Sequence, residues 1–124
     1  MRAEATHLRE TEGVNIIIAL SHCGLDVDRL IAAGVGEDID VIVGGHSHTF
    51  LYNGTKSPGP DYAQDTYPVV VTQDSGHVVL IVQASAYTKY IGDITVYFDA
   101  DGTITRWNGQ PIFVDNDIIP GNYT

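Results

Sequence analysis

Three histidines stand in positions where side chains often bind a metal ion. His22 lies in the segment Ser21–Gly24, and His46 and His48 follow two glycines in the segment Gly44–His48. Neutral imidazole is a good ligand for zinc and for divalent cations of similar character. The glycines allow the backbone to bend sharply and to come close to whatever is bound. The pattern predicts a divalent cation site, with zinc as the first choice and all three histidines as ligands.

Each histidine motif follows a short apolar run with the composition of a buried strand. The runs are Val14–Leu20 and Ile39–Val43, and between them Leu25–Val35 has apolar residues at helical spacing. This strand–helix–strand order predicts two parallel strands joined by a right-handed crossover, with the first strand buried on both faces. Ligands of such sheets bind beyond the carboxyl ends of the strands, which lie about 4.8 Å apart. We therefore expect the histidines to open onto one crevice.

The second half of the chain has the pattern of antiparallel strands. Apolar runs at Tyr67–Val71 and Val78–Ala84 flank a turn at Gln73–Gly76, and apolar residues alternate with polar ones over Ile94–Phe98. The predicted fold class is therefore α/β, with a parallel βαβ unit followed by antiparallel strands.

Composition and charge limit the possible functions. The 124 residues are 44% hydrophobic and 18% charged, which suits one globular domain. Six Lys and Arg against 16 Asp and Glu give a formal charge of −10, which argues against nucleic acid as a partner. The single cysteine, Cys23, excludes a disulfide within the chain. Glycosylation sequons at Asn53 and Asn122 favour a secretory route only weakly.

Other reactive side chains have plainer interpretations. Consecutive side chains rarely reach the same ion, so we expect Cys23 to be a small buried thiol rather than a ligand. We expect His7 and His77 to be surface residues. Five acidic residues in and after the predicted helix are expected to be solvated charges rather than ligands. They are Asp26, Asp28, Glu37, Asp38 and Asp40.

The histidine motifs resemble the last two metal motifs of animal 5′-nucleotidases and apyrases, which are calcineurin-like metallophosphoesterases. The similar segments are Ile17–Gly24, Asp40–Tyr52 and Val82–Gly92, within a likeness that runs from about Val14 to Ile119. The resemblance implies a layered two-sheet (αββα) domain, of which residues 1–114 would be the second half. Residues 115–124 would then begin a linker to a C-terminal nucleotide-binding domain that this chain lacks.

The resemblance also implies roles for the three histidines. His22 and His46 resemble the two histidines that bind one cation, and His48 matches the residue that reaches the second cation, which is often Asn or Gln in the family. A two-metal hydrolase of nucleoside 5′-monophosphates such as AMP is implied, with zinc foremost and Mn²⁺, Mg²⁺ or Co²⁺ as alternatives. Apyrases and UDP-sugar hydrolases are the related alternatives. An extracellular protein, secreted or anchored at the cell surface, is implied, and a homodimer through the C-terminal domain is allowed.

Several motifs of that family do not occur in this sequence. The chain has no Asp-x-His and no Gly-Asn-His, and its Gly92-Asp93 pair follows the histidine motifs instead of preceding them. We therefore expect the bridging carboxylate and the histidine that stabilises the transition state to be absent. The expectation is an inactive fragment that binds one cation weakly. The alternative from a different class is a secreted binding protein that kept the scaffold without catalysis.

Overall fold

The computed structural model describes residues 1–115, which form two helices and six strands. In chain order these are α1 (Arg2–Glu10), β1 (Ile18–Leu20), α2 (Leu25–Gly34), β2 (Val41–Val43), β3 (Val69–Thr72), β4 (Val78–Val82), β5 (Tyr90–Phe98) and β6 (Ile104–Phe113). Neither helix in this part of the chain is long and apolar enough to cross a membrane. The predicted linker, apart from Asp115, lies outside the described residues.

The larger sheet has the strand order β1-β2-β4-β3. β1 and β2 pair in parallel, with Leu20 opposite Val43, and α2 forms the crossover between them. The βαβ unit predicted from the apolar runs is therefore confirmed. β3 and β4 form the predicted antiparallel hairpin, in which Gln73 and His77 bond at the turn. β4 also pairs in parallel with β2, so the hairpin extends the βαβ sheet instead of starting a new one.

A second sheet consists of β5 and β6, which pair antiparallel from Tyr90 opposite Phe113 to Phe98 opposite Ile104. The Asp99 side chain closes the connecting turn by accepting hydrogen bonds from backbone N–H groups. The predicted α/β class, with parallel strands followed by antiparallel ones, is confirmed.

The apolar core lies around the four-stranded sheet and is shared by both helices. Central strands β2 and β4 contribute most of the fully buried aliphatic side chains, each of which adds about 1.5–3 kcal/mol. The core cluster comprises Ala5, Ile17, Leu25, Ala32, Val35, Ile39, Ile42, Leu51, Tyr67, Val69, Val79, Ile81 and Val82.

The first strand is shorter and more exposed than the sequence predicted. β1 contains only three residues, of which Ile18 is 61% and Leu20 86% exposed. The reason is position, because β1 is an edge strand of the described sheet and has β2 as its only strand neighbour. The expectation that this strand is buried on both faces is wrong for residues 1–115.

Only part of the apolar face predicted for the α2 segment is buried: Leu25 and Val35 lie in the core, and Ile31 packs against it. Val27 and Leu30 are 43% and 73% exposed, whereas Ala32 and Asp28 are completely buried. Asp28 accepts a hydrogen bond of 2.5 Å from the Ser21 hydroxyl, and this partner offsets part of the cost of burying a polar side chain. The expectation that Asp28 is a solvated charge is therefore wrong.

A buried ion pair ties α1 to the sheet. Arg9 donates to Asp40 at 2.9 Å and also to the carbonyl oxygens of Asn15 and Asp38. Asp40 is only 1% exposed and accepts a second hydrogen bond, of 2.8 Å, from the Ile17 amide. Asp40 is thus not the solvated charge that was expected. Burial raises the pKa of the Asp40 carboxyl, and the bonds from Ile17 and Arg9 only partly oppose this.

The raised pKa of Asp40 predicts a pH dependence of stability. The native state keeps the Asp40 proton to a higher pH than the unfolded chain, whose pKa is near 3.8, so this carboxyl stabilises the fold at low pH. That contribution is lost as pH rises through the native pKa. We expect the difference in unfolding free energy, wild type minus Asp40→Asn, to fall with rising pH above 3.8, with a slope of at most about 1.4 kcal/mol per pH unit.

Urea unfolding of both proteins at a series of pH values measures this difference. Asp74→Asn, which removes an exposed carboxylate in the β3–β4 turn, controls for the loss of one charge. A difference that grows with pH across the same window would refute the interpretation.

Candidate metal centre

Two of the histidines meet at the carboxyl ends of neighbouring parallel strands. His22 follows the end of β1, and His46 follows the end of β2. The terminal residues of these strands are register partners, so the loops that follow start side by side. The His22 and His46 rings contact each other edge to face, with centroids 5.4 Å apart and planes inclined at 70°. The structure therefore brings these two predicted ligands together.

A ring separation of 5.4 Å is compatible with both imidazoles binding one ion. Imidazole nitrogen binds zinc at about 2.1 Å and the ring centre lies about 1.1 Å farther, so two rings that share an ion have centroids at most about 6.4 Å apart. Both side chains are exposed, so an ion can reach them from solvent. The pair can supply two of the four ligands of a tetrahedral zinc site.

Two glycines make room for the side chains beneath and beside the loop. A Cβ atom at Gly45 would lie 2.9 Å from Nδ1 of His22, closer than real Cβ contacts. A Cβ atom at Gly44 would collide with the buried Asp28 carboxylate. Both residues are needed because other side chains approach them, which is the close approach that glycine permits.

His46 and His48 both adopt left-handed backbone conformations, with φ of 71° and 53°. Such conformations are uncommon outside glycine, persist only where the surroundings impose them, and cluster at functional sites. The segment is thus a tight turn, whereas in an extended segment two residues at this spacing would point to the same side. The difference arises because neighbouring residues of the loop are held by hydrogen bonds to the protein interior.

His48 has a different neighbour from the other two histidines. Its ring contacts the exposed Tyr87 edge to face, with centroids 5.4 Å apart. Tyr87 belongs to a second strained segment, in which Ser85 and Thr88 also have positive φ. Within residues 1–115 no group of three or more His, Cys, Asp or Glu side chains is arranged to hold a metal ion. The role of His48 as a ligand stays a prediction.

An ion pair holds the strained segment beside His48 in place. Lys89 donates to Asp61 at 2.7 Å, and the Ser85 hydroxyl donates to the same carboxylate at 3.3 Å. The hydrogen bond from Lys89 is the main cause that lowers the pKa of Asp61. The Asp61 amide also donates to the Tyr90 hydroxyl, which joins the preceding loop to β5.

Cys23 is exposed, so the expectation of a buried thiol is wrong. Its neighbour Ser21 is the residue that turns inward, because its hydroxyl bonds the buried Asp28. Cys23 lines a surface cavity at the start of α2 together with His46 and Ser47.

Sequence reasoning missed two buried polar side chains close to the histidine motifs. Asp28 and Gln83 are 0% and 3% exposed. Asp28 Oδ2 has no hydrogen-bond partner within the described chain and lies next to Gly44. A signal was available for Asp28, which stands one turn after Leu25 and one turn before Ala32 on a single helix face. For Gln83, the only signal in the sequence was its position directly after an apolar strand.

Comparison with known proteins supports a common origin with nucleotide-hydrolysing enzymes. No family model matches the chain. The chain is 48% identical over 118 residues to the apyrase of Tabanus yao, which covers 95% of this chain and 21% of that protein. It is 49% identical over 110 residues to a 5′-nucleotidase-related protein of Glossina morsitans morsitans. This match covers 89% of this chain and 20% of that protein. It is 46% identical over 109 residues to the 5′-nucleotidase of Bos taurus, and this match covers 88% of this chain and 18% of that protein.

Solved structures show the same relationship in three dimensions. The structure of a 5′-nucleotidase precursor from Thermus thermophilus matches with a TM-score of 0.81 and 32% identity, over 94% of this chain and 22% of that one. The NAD nucleotidase of Haemophilus influenzae matches with a TM-score of 0.78 and 34% identity, over 91% of this chain and 22% of that one. The chain spans about a fifth of the length of the curated relatives it matches. In both sequence and fold, the chain is thus similar over nearly its whole length to one segment of proteins named apyrase and 5′-nucleotidase.

Proposed function

We propose that this chain is part of the catalytic domain of a metal-dependent 5′-nucleotidase. In this proposal His22 and His46 bind one divalent cation, zinc by preference, and His48 reaches a second. The observation that carries the proposal is the pair of imidazoles 5.4 Å apart at the carboxyl ends of two parallel strands. The high identity to proteins called apyrase and 5′-nucleotidase gives independent support.

The residues of this chain fit a role in holding and orienting cations. The space at Gly45 sets the position of the His22 ring, and the left-handed turn presents His46 to the same point. The His48 ring contacts Tyr87, at the edge of the strained segment. A bound cation pair would offset charge on the transferring phosphoryl group and lower the pKa of a bound water.

The remaining parts of the active site are proposed to come from sequence beyond these 124 residues. Two or three imidazoles without a bridging carboxylate do not hold two cations at the roughly 3.5–4 Å separation of a two-metal site. The 124-residue chain by itself is therefore proposed to bind one cation weakly and to have no turnover. In the whole protein the products would be a nucleoside and phosphate.

A second candidate function is the hydrolysis of nucleoside di- and triphosphates. The name apyrase, which several insect relatives at 42–48% identity carry, favours it. The choice between AMP and longer phosphate chains is proposed to depend on residues outside this chain.

Location and assembly follow the family as proposals. We infer an extracellular protein, secreted or anchored at the cell surface, and allow a homodimer through a C-terminal domain. Of the two sequons, Asn122 lies outside the described residues. Asn53 is exposed, but its amide bonds both the N–H and the carbonyl of the buried Tyr67, which gives Asn53 a structural role of its own.

Phosphate release by the product of the complete gene tests the function. With Zn²⁺ present, we expect release from AMP, and loss of that release in His22→Ala because one cation ligand is gone. In parallel, release of phosphate from ADP indicates the apyrase, and release of UMP and sugar 1-phosphate from a UDP-sugar indicates the UDP-sugar hydrolase. No release from any of them would favour the binding-protein alternative. The 124-residue chain is expected to be inactive. If it hydrolysed AMP robustly and His22→Ala abolished that activity, the proposal that part of the active site lies outside these residues would be contradicted.

A further inference from the structure

We propose that Gln83 is the residue that positions His46 and His48, an inference that rests on the proposed function of these histidines. Gln83 directly follows β4, and the last residue of β4 is the register partner of the last residue of β2. Its side chain therefore starts beside the loop that leaves β2, which we call the histidine loop (residues 44–49). Gln83 is 3% exposed, so its amide must find partners within the protein.

Within residues 1–115, the hydrogen-bond partners of the Gln83 amide all belong to the histidine loop. Oε1 accepts a hydrogen bond of 2.5 Å from the Thr49 amide and one of 3.3 Å from the Ser47 hydroxyl. Nε2 donates to the Gly45 carbonyl at 3.3 Å. One planar amide thus holds three alternate residues of the loop, at its beginning, middle and end.

The residues between these three anchors are the histidines. His46 lies between the first and second anchor, and His48 lies between the second and third. Both are exposed and both have positive φ. Left-handed backbone is unfavourable for a residue with a side chain and survives only when its surroundings fix it. The alternation indicates that Gln83 fixes the anchors and so presents both imidazoles outward.

The same network connects the histidine loop to the other half of the site. The Ser47 hydroxyl bonds the Thr49 hydroxyl at 2.7 Å and accepts from the Leu25 amide, at the start of α2, at 3.1 Å. That helix start follows His22 in the chain by a few residues. A residue that holds Ser47 therefore also restrains the position of His46 relative to His22.

The chemistry of the site calls for a glutamine. Two donors of the loop face Oε1 and one acceptor faces Nε2, and the uncharged carboxamide of glutamine supplies the matching acceptor and donor. Leucine keeps the volume but loses all three contacts, and asparagine keeps the amide but is one methylene too short to span the loop.

The test compares Gln83→Leu and Gln83→Asn with Gln73→Leu in the 124-residue chain. Gln73 is a matched control because its amide, like that of Gln83, is hydrogen-bonded to the protein. Its partners are the backbone carbonyls of Ala32 and Gly36, away from the histidine loop. The first readout needs no metal and is the nuclear Overhauser effect between the ring protons of His22 and His46. We expect it to be lost in both Gln83 variants and kept in Gln73→Leu.

The second readout is a Zn²⁺ titration followed by the histidine ring resonances. We expect the apparent Kd to rise by about 10–100-fold in the Gln83 variants, as for other residues that support metal ligands, and to stay within about twofold in Gln73→Leu. If Zn²⁺ does not shift the histidine ring resonances of the wild-type chain, the proposed metal site is overturned. The nuclear Overhauser effect between His22 and His46 would still test the role of Gln83. If Gln83→Leu does not fold, the two measurements on Gln83→Asn test the positioning role of Gln83. A folded Gln83 variant with wild-type ring contact and wild-type Kd would overturn the positioning role.

Discussion

His22→Ala should lower the affinity of the chain for Zn²⁺ by about 100-fold or more, since loss of a direct ligand costs more than the 10–100-fold typical of a supporting residue. The reason is geometric. His22 and His46 are the only two of the predicted ligands whose rings contact each other in residues 1–115, with centroids 5.4 Å apart. Removal of one leaves His46 as a single exposed imidazole, which is no better a site than any surface histidine. Competition with a chromophoric chelator at pH 7.5, where most imidazoles are neutral, measures the change.

His7→Ala is the control for this experiment. His7 is an exposed histidine on α1 whose nearest charged partner is Glu12, far in sequence from both metal motifs. Its removal should leave the affinity unchanged. Equal losses in His7→Ala and His22→Ala would show that Zn²⁺ binds histidines at random, and the metal assignment would fail.

Arg9→Ala should lower the free energy of unfolding by about 3 kcal/mol, the lower end of the range for breaking a buried ion pair. Arg9 is the only cation within hydrogen-bond reach of Asp40 in the described chain, and that carboxylate is 1% exposed. Without Arg9 the carboxylate keeps only the Ile17 amide as a partner, and α1 loses its bonds to two backbone carbonyls. Urea unfolding near neutral pH measures the effect.

Arg106→Ala is the matched control for Arg9→Ala. Arg106 is exposed, and its guanidinium lies 3.9 Å from the ring centre of Tyr97, a surface cation–π contact. Its loss should cost no more than about 1 kcal/mol. If Arg9→Ala were no more destabilising than Arg106→Ala, the Arg9–Asp40 pair would not be what holds α1 to the sheet.

The sequence was sufficient for the parts of the fold that local patterns determine. Two apolar runs separated by an amphipathic segment predicted the parallel pair and its crossover, and strand register then brought His22 and His46 together. Turn residues after Thr72 predicted the β3–β4 hairpin. These features depend on residues close together in the chain or on general rules of handedness.

The failed expectations concern features that depend on distant contacts. The buried Asp28 of α2 has its hydrogen-bond partner in Ser21, outside the helix, and apolar periodicity cannot predict such a contact. The exposure of β1 depends on its place in the sheet, which is known only once all strands are ordered. The Tyr87 neighbour of His48 and the Gln83 bonds to the histidine loop join residues more than 30 positions apart.

Anomalous diffraction at the zinc edge from crystals of the Zn²⁺-loaded chain shows directly whether His22 and His46 bind one ion. We expect one strong peak at about 2.1 Å from a ring nitrogen of His22 and from a ring nitrogen of His46. A zinc peak bound elsewhere, with these two rings too far apart to share an ion, would contradict it.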